Sequence, residues 1–250
     1  MIIVLFGNAA NLEASDSNRF QVKRIAHAGG GLGKKTYTNS FQALDMNMGK
    51  GFRYFELDFS FTSDGQLVCI HDWSVNFMRT FEFEIDQPPS LKEFERLVAD
   101  NVQFSNCTLK GLALWMSENS DAYIVTDLRI DNLKALKIIR EMLPDSERRV
   151  IPQIYQPQNY ASVKRMGYEQ VIWTLYQFAG TAYDVIDWTS RWAGAFAITM
   201  PKSVARSSLP KALKARGIPT YVHTVNSVDE KGEFVSKQGV SEIYTDFLIP

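Results

Sequence analysis

Ala122-Tyr123-Ile124-Val125-Thr126-Asp127 is a short, largely apolar run with the β-branched residues of a buried strand. Asp131 to Met142 then repeats its apolar residues at helical spacing, and Val150 to Tyr155 returns to a strand-like run. Strand, helix, strand reads as a βαβ unit, because two parallel strands need a crossover between them. The order continues in both directions. C-terminally, strand candidates fall at Val171 to Tyr176, Ala195 to Met200, Ile218 to Val225 and Glu242 to Thr245, with helical patterns such as Lys202 to Arg216 and Val228 to Lys237 between them. N-terminally they fall at Phe52 to Phe59 and Val22 to His27. Eight strands in βα order predict an α/β protein, a closed (β/α)8 TIM barrel in preference to an open doubly wound sheet, since such a barrel takes about 250 residues.

Local signals fill in this plan. Gly29-Gly30-Gly31-Leu32-Gly33 is too glycine-rich for helix or strand, and Thr38-Asn39-Ser40 is a helix start for Phe41 to Lys50. Thr62-Ser63-Asp64-Gly65 turns the second strand into an extra hairpin strand, Leu67 to His71. Trp73 to Glu118, with its Pro88-Pro89 break and two helical stretches, is an insertion between strands two and three on the active-site face, not a second domain. The organisation expected is an N-terminal extension over 1–21 and one barrel domain over 22–250.

Composition limits what such a barrel can do. The chain has 250 residues, 45% hydrophobic and 22% charged, with a formal net charge of -1, which excludes disorder and gives no general basic face for nucleic acid. No run approaches 18 apolar residues, so no transmembrane helix is predicted; a soluble protein is expected, with the cytoplasm favoured but the compartment itself not legible. Met1-Ile2-Ile3-Val4-Leu5-Phe6 lacks a basic flank and is short for a signal core; a trimmed export signal or a docking strand both stay open. Cys69 and Cys107 have no metal-ligand spacing and are too few for a disulfide framework, so both are expected as buried thiols.

The chemistry concentrates at strand ends. His27, His71 and His223 are the three histidines, each at the C-terminal end of a predicted strand, where barrels of this type place their active sites. Along strand two, Tyr54, Glu56 and Asp58 share one face and Phe55, Leu57 and Phe59 the other. With the apolar set against the helices, two carboxylates point inward and need either a divalent cation or cationic side chains; spacing alone leaves both open. Asp127 and Arg129 repeat the two-residue spacing after strand three, so Asp127 is a candidate to complete a metal site and Arg129 to hold an anion. Oxygen-only ligation suits Mg2+ or Ca2+ better than Zn2+.

These residues fall into a pattern. Arg24-Ile25-Ala26-His27-Ala28-Gly29-Gly30, Thr38-Asn39-Ser40, Glu56-Leu57-Asp58, Thr62-Ser63-Asp64-Gly65 and Leu67-Val68-Cys69-Ile70-His71-Asp72 resemble, in order and spacing, the glycerophosphodiester phosphodiesterase family. Gly217-Ile218-Pro219, His223-Thr224-Val225-Asn226, Gly239-Val240 and Tyr244-Thr245-Asp246 are similar to that family's last two strands. The resemblance implies a barrel phosphodiesterase with one divalent cation on Glu56, Asp58 and a third acidic residue, and catalytic histidines at His27 and His71. This chain departs from the pattern at four places: Ala28 stands for the usual arginine, Asp127 for glutamate, Arg129 for lysine and His223 for tryptophan. Asp127-Leu128-Arg129 is also similar to the Asp-x-Lys of sphingomyelinase D-like phospholipases.

The expected reaction is hydrolysis of a glycerophosphodiester to sn-glycerol 3-phosphate and an alcohol, with His27 as base and His71 as acid by analogy with the family. Water and a neighbouring substrate hydroxyl are both open as nucleophile. Arg129 is expected at the phosphate in place of the missing arginine, ahead of Lys34 and Lys35 of the glycine-rich loop, because a guanidinium makes bidentate contacts. Gln153, Tyr155, Tyr176, Met200 and His223 are candidates for the substrate pocket. The alternatives are phospholipase C- or D-like action on a phospholipid or lysophospholipid, and a non-catalytic sugar-phosphate binding barrel. The phospholipase alternative expects an exposed apolar rim from Phe77, Phe81, Phe83 and Trp115, which could instead pack a small core of the insertion. The expected partner is a small-molecule phosphodiester, with membrane contact only if that substrate is a lipid; oligomeric state is not legible.

Overall fold

A computed structural model describes residues 19–250 apart from position 102. The proposed extension therefore lies almost wholly outside the described residues, as does the Met1 to Phe6 run. Eight parallel strands close on themselves: β1 (Ile25–Ala26), β2 (Tyr54–Phe61), β4 (Tyr123–Asp127), β5 (Val150–Ile154), β6 (Gln170–Thr174), β7 (Ala195–Pro201), β8 (Thr220–His223) and β9 (Glu242–Thr245), with β1 paired to both β2 and β9. β3 (Leu67–Cys69) is the extra antiparallel strand on β2. The fold is the expected TIM barrel, with helices between the strands.

Side-chain alternation builds two cores. Ile25, Tyr54, Val125, Ile151, Ile172, Ala197, Tyr221 and Tyr244 fill the barrel, while Phe55, Leu57, Phe59, Ile124, Trp173 and Ile198 pack outward against the helices. Filling the interior makes it a packed core and leaves chemistry to the strand ends. β1 is shorter than the expected Val22 to His27. Below it, side chains satisfy the backbone instead of a ladder: Gln21 N–H donates to Gln170 Oε1 (2.9 Å), and the Tyr221 hydroxyl bonds both Lys23 N–H and Lys23 C=O. Phe20 closes this lower end against Tyr221.

Some of the helices around the site start at side-chain caps. Ser40 accepts from Ala43 N–H to start α1 (Phe41–Gly49). The insertion holds α2 (Val75–Phe81) and α3 (Leu91–Asp100), the latter opened by a Ser90/Glu93 capping box. α4 (Leu109–Glu118) is the barrel helix that follows, and α5 (Asn132–Met142) succeeds β4. Three helices therefore stand where two helical stretches were expected. Lys202 to Arg216 also breaks, into Lys202–Ala205 and Leu209–Lys214, with Pro210 in the first turn of the second helix. No helix among the described residues is long and apolar enough to cross a membrane.

One expectation is corrected here, and one open alternative is decided. Cys69 and Cys107 are not free thiols but a disulfide, with Cα atoms 5.0 Å apart and 38 residues of separation. Cys69 N–H also donates to Cys107 C=O (2.7 Å), so a backbone bond brings the pair into reach. Of the two readings of the aromatic set, packing within the insertion is the one that holds for Phe77 and Phe81. Phe77 packs with Val68, Ile70 and Phe94 in the insertion's own core, Phe81 lies against it, and Trp115 is buried against Phe55 and donates to Asp45. Only Phe83 of that set is exposed.

Candidate active site

Glu56 and Asp58 point inward from β2, as the alternation requires, and Asp127 meets them from the end of β4, where it is in register with Asp58. Ligand atoms of the three lie within 4.8 Å of one another. Each carboxylate is held from outside the cluster. Ala28 N–H donates to Glu56 Oε2 (2.7 Å), Asn39 Nδ2 donates to Asp58 Oδ2 (2.9 Å), Asp58 N–H returns a bond to Asn39 Oδ1 (3.0 Å), and the Tyr155 hydroxyl donates to Asp127 Oδ1. Ala28 and Asn39 both take left-handed backbone (φ 49° and 47°), which turns these donors onto the carboxylates.

No Lys or Arg among the described residues forms an ion pair with the cluster, and Glu56 Oε1 is buried with no hydrogen-bond partner. Burial, then repulsion from Asp58 and Asp127, pushes the Glu56 pKa well above the ordinary carboxylate range. Burial and Asp58 push Asp127 up to about 6, against the lowering effect of Tyr155, Arg129 and His71. An all-oxygen donor set with an orphaned buried oxygen fits a hard divalent cation of the Mg2+ or Ca2+ type.

A histidine backed by an aspartate stands on either flank. His27 Nδ1 bonds Asp246 Oδ1 (2.9 Å), and Asp246 is itself held by Asn226 Nδ2 (2.7 Å) while its backbone N–H donates to Asn226 Oδ1 (2.8 Å). His71 Nδ1 bonds Asp72 Oδ2 (2.7 Å). Burial alone would raise the Asp72 pKa, but bonds from His71, Asn76 and Ser74 hold it down at about 2, so the carboxylate facing His71 is ionised. With Nδ1–H donating to Asp72, His71 Nε2 is the acceptor for Arg129 Nη2 (3.1 Å). Tyr37 lies between the two imidazoles, its ring edge-on at 4.5 Å from His27 and 5.4 Å from His71. Burial, then Asp58 and Glu56, push its pKa up to about 12, so its hydroxyl keeps its proton.

Sequence reasoning missed Tyr37, Asn39, Asp72 and Asp246 as parts of this site. Asp72 could have been found, since it follows His71 directly. The proposed pocket residues divide. Tyr176 donates to His223 C=O (2.9 Å) and stacks edge-on against that imidazole, forming a wall near His27. Burial, then His27 and Arg129, lowers the His223 pKa to about 3, so it brings no positive charge. Tyr155 braces Asp127, and Gln153 is buried inside the barrel, accepting from Tyr244. Met200 is a correction: Ala195 and Ala197 of β7 face inward, so alternation turns Met200 out among the helices. Lys34 and Lys35 are exposed, on a tight turn bridged from Leu32 to Lys35.

Comparison with known proteins agrees with this architecture. Residues 30–83 match the model of the Glycerophosphoryl diester phosphodiesterase family, a segment that includes Asn39, Glu56, Asp58 and His71. A glycerophosphodiester phosphodiesterase from Thermotoga maritima superposes with a TM-score of 0.68 at 16% identity, over 91% of this chain and 96% of that one. One from Agrobacterium tumefaciens gives 0.61 at 18% identity, over 91% and 97%. The Oleispira antarctica phosphodiesterase, solved in complex with the product sn-glycerol-3-phosphate, gives 0.69 at 14% identity, over 90% and 93%. No curated protein matches the chain. The chain thus carries a recognisable segment of the glycerophosphodiester phosphodiesterase family on the fold of that family's solved structures.

Proposed function

We propose that this protein is a phosphoric diester hydrolase that cleaves a glycerophosphodiester to sn-glycerol 3-phosphate and an alcohol. The observation that carries the proposal is one cluster of three carboxylates flanked by two histidines, each with an aspartate behind it. The product bound in the Oleispira antarctica structure supports the substrate class. Glu56, Asp58 and Asp127 would hold one divalent cation, Mg2+ or Ca2+, which when bound polarises the phosphoryl group and offsets its negative charge.

His27, anchored at Nδ1 by Asp246, presents Nε2 to take a proton from the attacking water. As the new P–O bond forms, the ester P–O bond breaks, and the departing alkoxide takes a proton from Nε2 of His71. Asp72 stabilises the imidazolium that must exist before that step. In the resting structure Arg129 covers His71 Nε2, so a phosphate that draws the guanidinium onto its oxygens also frees this nitrogen. The test of the acid assignment is a leaving-group comparison. His71→Ala should cost roughly 10²- to 10⁴-fold in kcat on a natural ester, and far less on bis(p-nitrophenyl)phosphate, whose leaving group needs no proton. Equal losses on both esters would remove His71 from that role.

Arg129 is the guanidinium that reaches the site, whereas Lys34 and Lys35 point to solvent. Arg129→Lys should lower kcat/KM by roughly 10- to 100-fold despite conserving charge, the range for a lost charge-assisted bond. Lys34→Ala and Lys35→Ala should stay within a few-fold of wild type by steady-state kinetics. Tyr155→Phe removes the donor that orients Asp127 and should weaken Mg2+ binding by roughly 10-fold, measured by calorimetric titration, with little change in folding. Unchanged affinity would free Asp127 from this dependence. The Cys69–Cys107 disulfide fits an oxidising compartment better than the cytoplasm expected from the sequence.

A further inference from the structure

The two flanks of the carboxylate cluster differ in chemistry. On the His27 side the neighbours are Tyr176, His223 and Asn226, all with polar atoms. On the His71 side a cleft of about 410 Å³ opens from Asp58, Asp127 and His71 and runs out between the insertion and the start of α5. Its floor and walls are Phe59, Leu128, Phe61, Trp73 and Pro88, and Ile130 stands at its lip, 76% exposed.

Polar atoms in these walls are already used within the protein. Ser60 Oγ donates to Ile70 C=O (3.0 Å), and Trp73 Nε1 donates to Phe61 C=O (2.9 Å), so the indole offers a ligand only its ring. Asp72 Oδ1 accepts from Ser74 and Asn76, and Oδ2 from His71, so both oxygens of this carboxylate are already bonded within the protein. The carboxylates that line it, Asp58, Asp127 and Asp72, are at its inner end beside the catalytic groups; Arg129 lines it too, and Lys134 sits over the Phe61 ring at 4.9 Å. Aromatic walls alone would suit a quaternary ammonium. Lys134, already at the Phe61 ring, opposes one.

We infer that this cleft binds an uncharged hydrocarbon body on the ester group next to His71, so that the departing alcohol is an apolar one, such as an alkyl alcohol, and not choline. The inference rests on the phosphodiesterase reading above, with His71 beside the leaving oxygen. The cleft is continuous with the catalytic groups, so a chain leaving the phosphorus on that side can run along Phe59, Leu128 and Trp73. Ile130, exposed at the lip, would gain burial against such a chain.

The test is a chain-length series. Ethyl, butyl and hexyl esters of sn-glycerol 3-phosphate, with glycerophosphocholine beside them, are assayed as monomers with Mg2+ present. The expected result is a rise in kcat/KM of about fourfold per methylene, from the burial of each CH2, with the butyl ester ahead of the choline ester. Ile130→Asn, an exposed position that does not threaten folding, should flatten the rise. A flat or falling series, or preference for the choline ester, overturns the inference while leaving the phosphodiesterase reading intact. Calorimetric binding of the matching non-hydrolysable phosphonates separates the two failures. Chain-length-dependent binding without turnover of any ester supports the cleft and overturns the phosphodiesterase; length-independent binding overturns the cleft.

Discussion

His27→Ala should lower kcat on the best ester by roughly 10²- to 10⁴-fold, the range for losing a general base, while the thermal midpoint stays close to wild type. The imidazole is nearly buried, yet what it bonds to is Asp246, at the rim of the barrel rather than in its packed interior. Asp246→Asn is the companion variant. The amide keeps the shape but can place a donor where His27 needs an acceptor, so the imidazole loses the Nδ1–H tautomer that presents a basic Nε2. Its activity should fall with the His27 variant's, and the double variant should lose little more than either alone, because the two act as one unit. Additive losses, read from single-turnover rates, would show that Asp246 does not work through His27.

Removal of the Cys69–Cys107 link, by Cys107→Ser or by reduction, should cost about 4 kcal/mol of stability, as the loop-entropy relation gives for a closed loop of this length. For a protein of this size that lowers the melting midpoint by roughly 10 °C. The bridge joins β3, two residues before His71, to the segment that leads into α4, so the loop it closes is the whole insertion. Activity should fall with the insertion's order before global unfolding, since His71, Trp73 and Pro88 all lie within the loop. Scanning calorimetry and rate measurements with and without reductant would check both. An unchanged midpoint would mean that Asn106 Nδ2, bonded to Thr38 C=O and Cys69 C=O, already holds the segment without the bridge.

What was legible in the sequence follows physical periodicity. The alternation along β2 put Glu56 and Asp58 on the inner face and Phe55 and Leu57 on the outer one, and parallel register then carried Asp127 to the same place. The βα order gave the closed barrel even though β1 is two residues long. Contacts across long stretches of chain were not legible. Asp246 is 219 residues from His27, and only the closure of β1 against β9 brings them together. Asn39 looked like part of a helix start, and its left-handed backbone, which turns its amide to Asp58, has no signature in a single sequence. Met200 was misplaced by one position of alternation, the smallest error that moves a side chain from mouth to core. The cysteines fell outside any spacing rule because it is the β3 hairpin and the residues before α4 that bring them side by side.

The central claim is that this carboxylate cluster and its two histidines hydrolyse a phosphodiester. The most direct measurement is release of the phosphomonoester from a panel of phosphodiesters, with and without chelator: sn-glycerol 3-phosphate from glycerophosphocholine and glycerophosphoinositol, lysophosphatidic acid from lysophospholipids. Turnover of at least one ester that is lost with chelator, restored by Mg2+ or Ca2+ and absent in Glu56→Gln is the predicted result. Binding of phosphodiesters without turnover under any metal, or turnover indifferent to both the chelator and the Glu56 substitution, would contradict it.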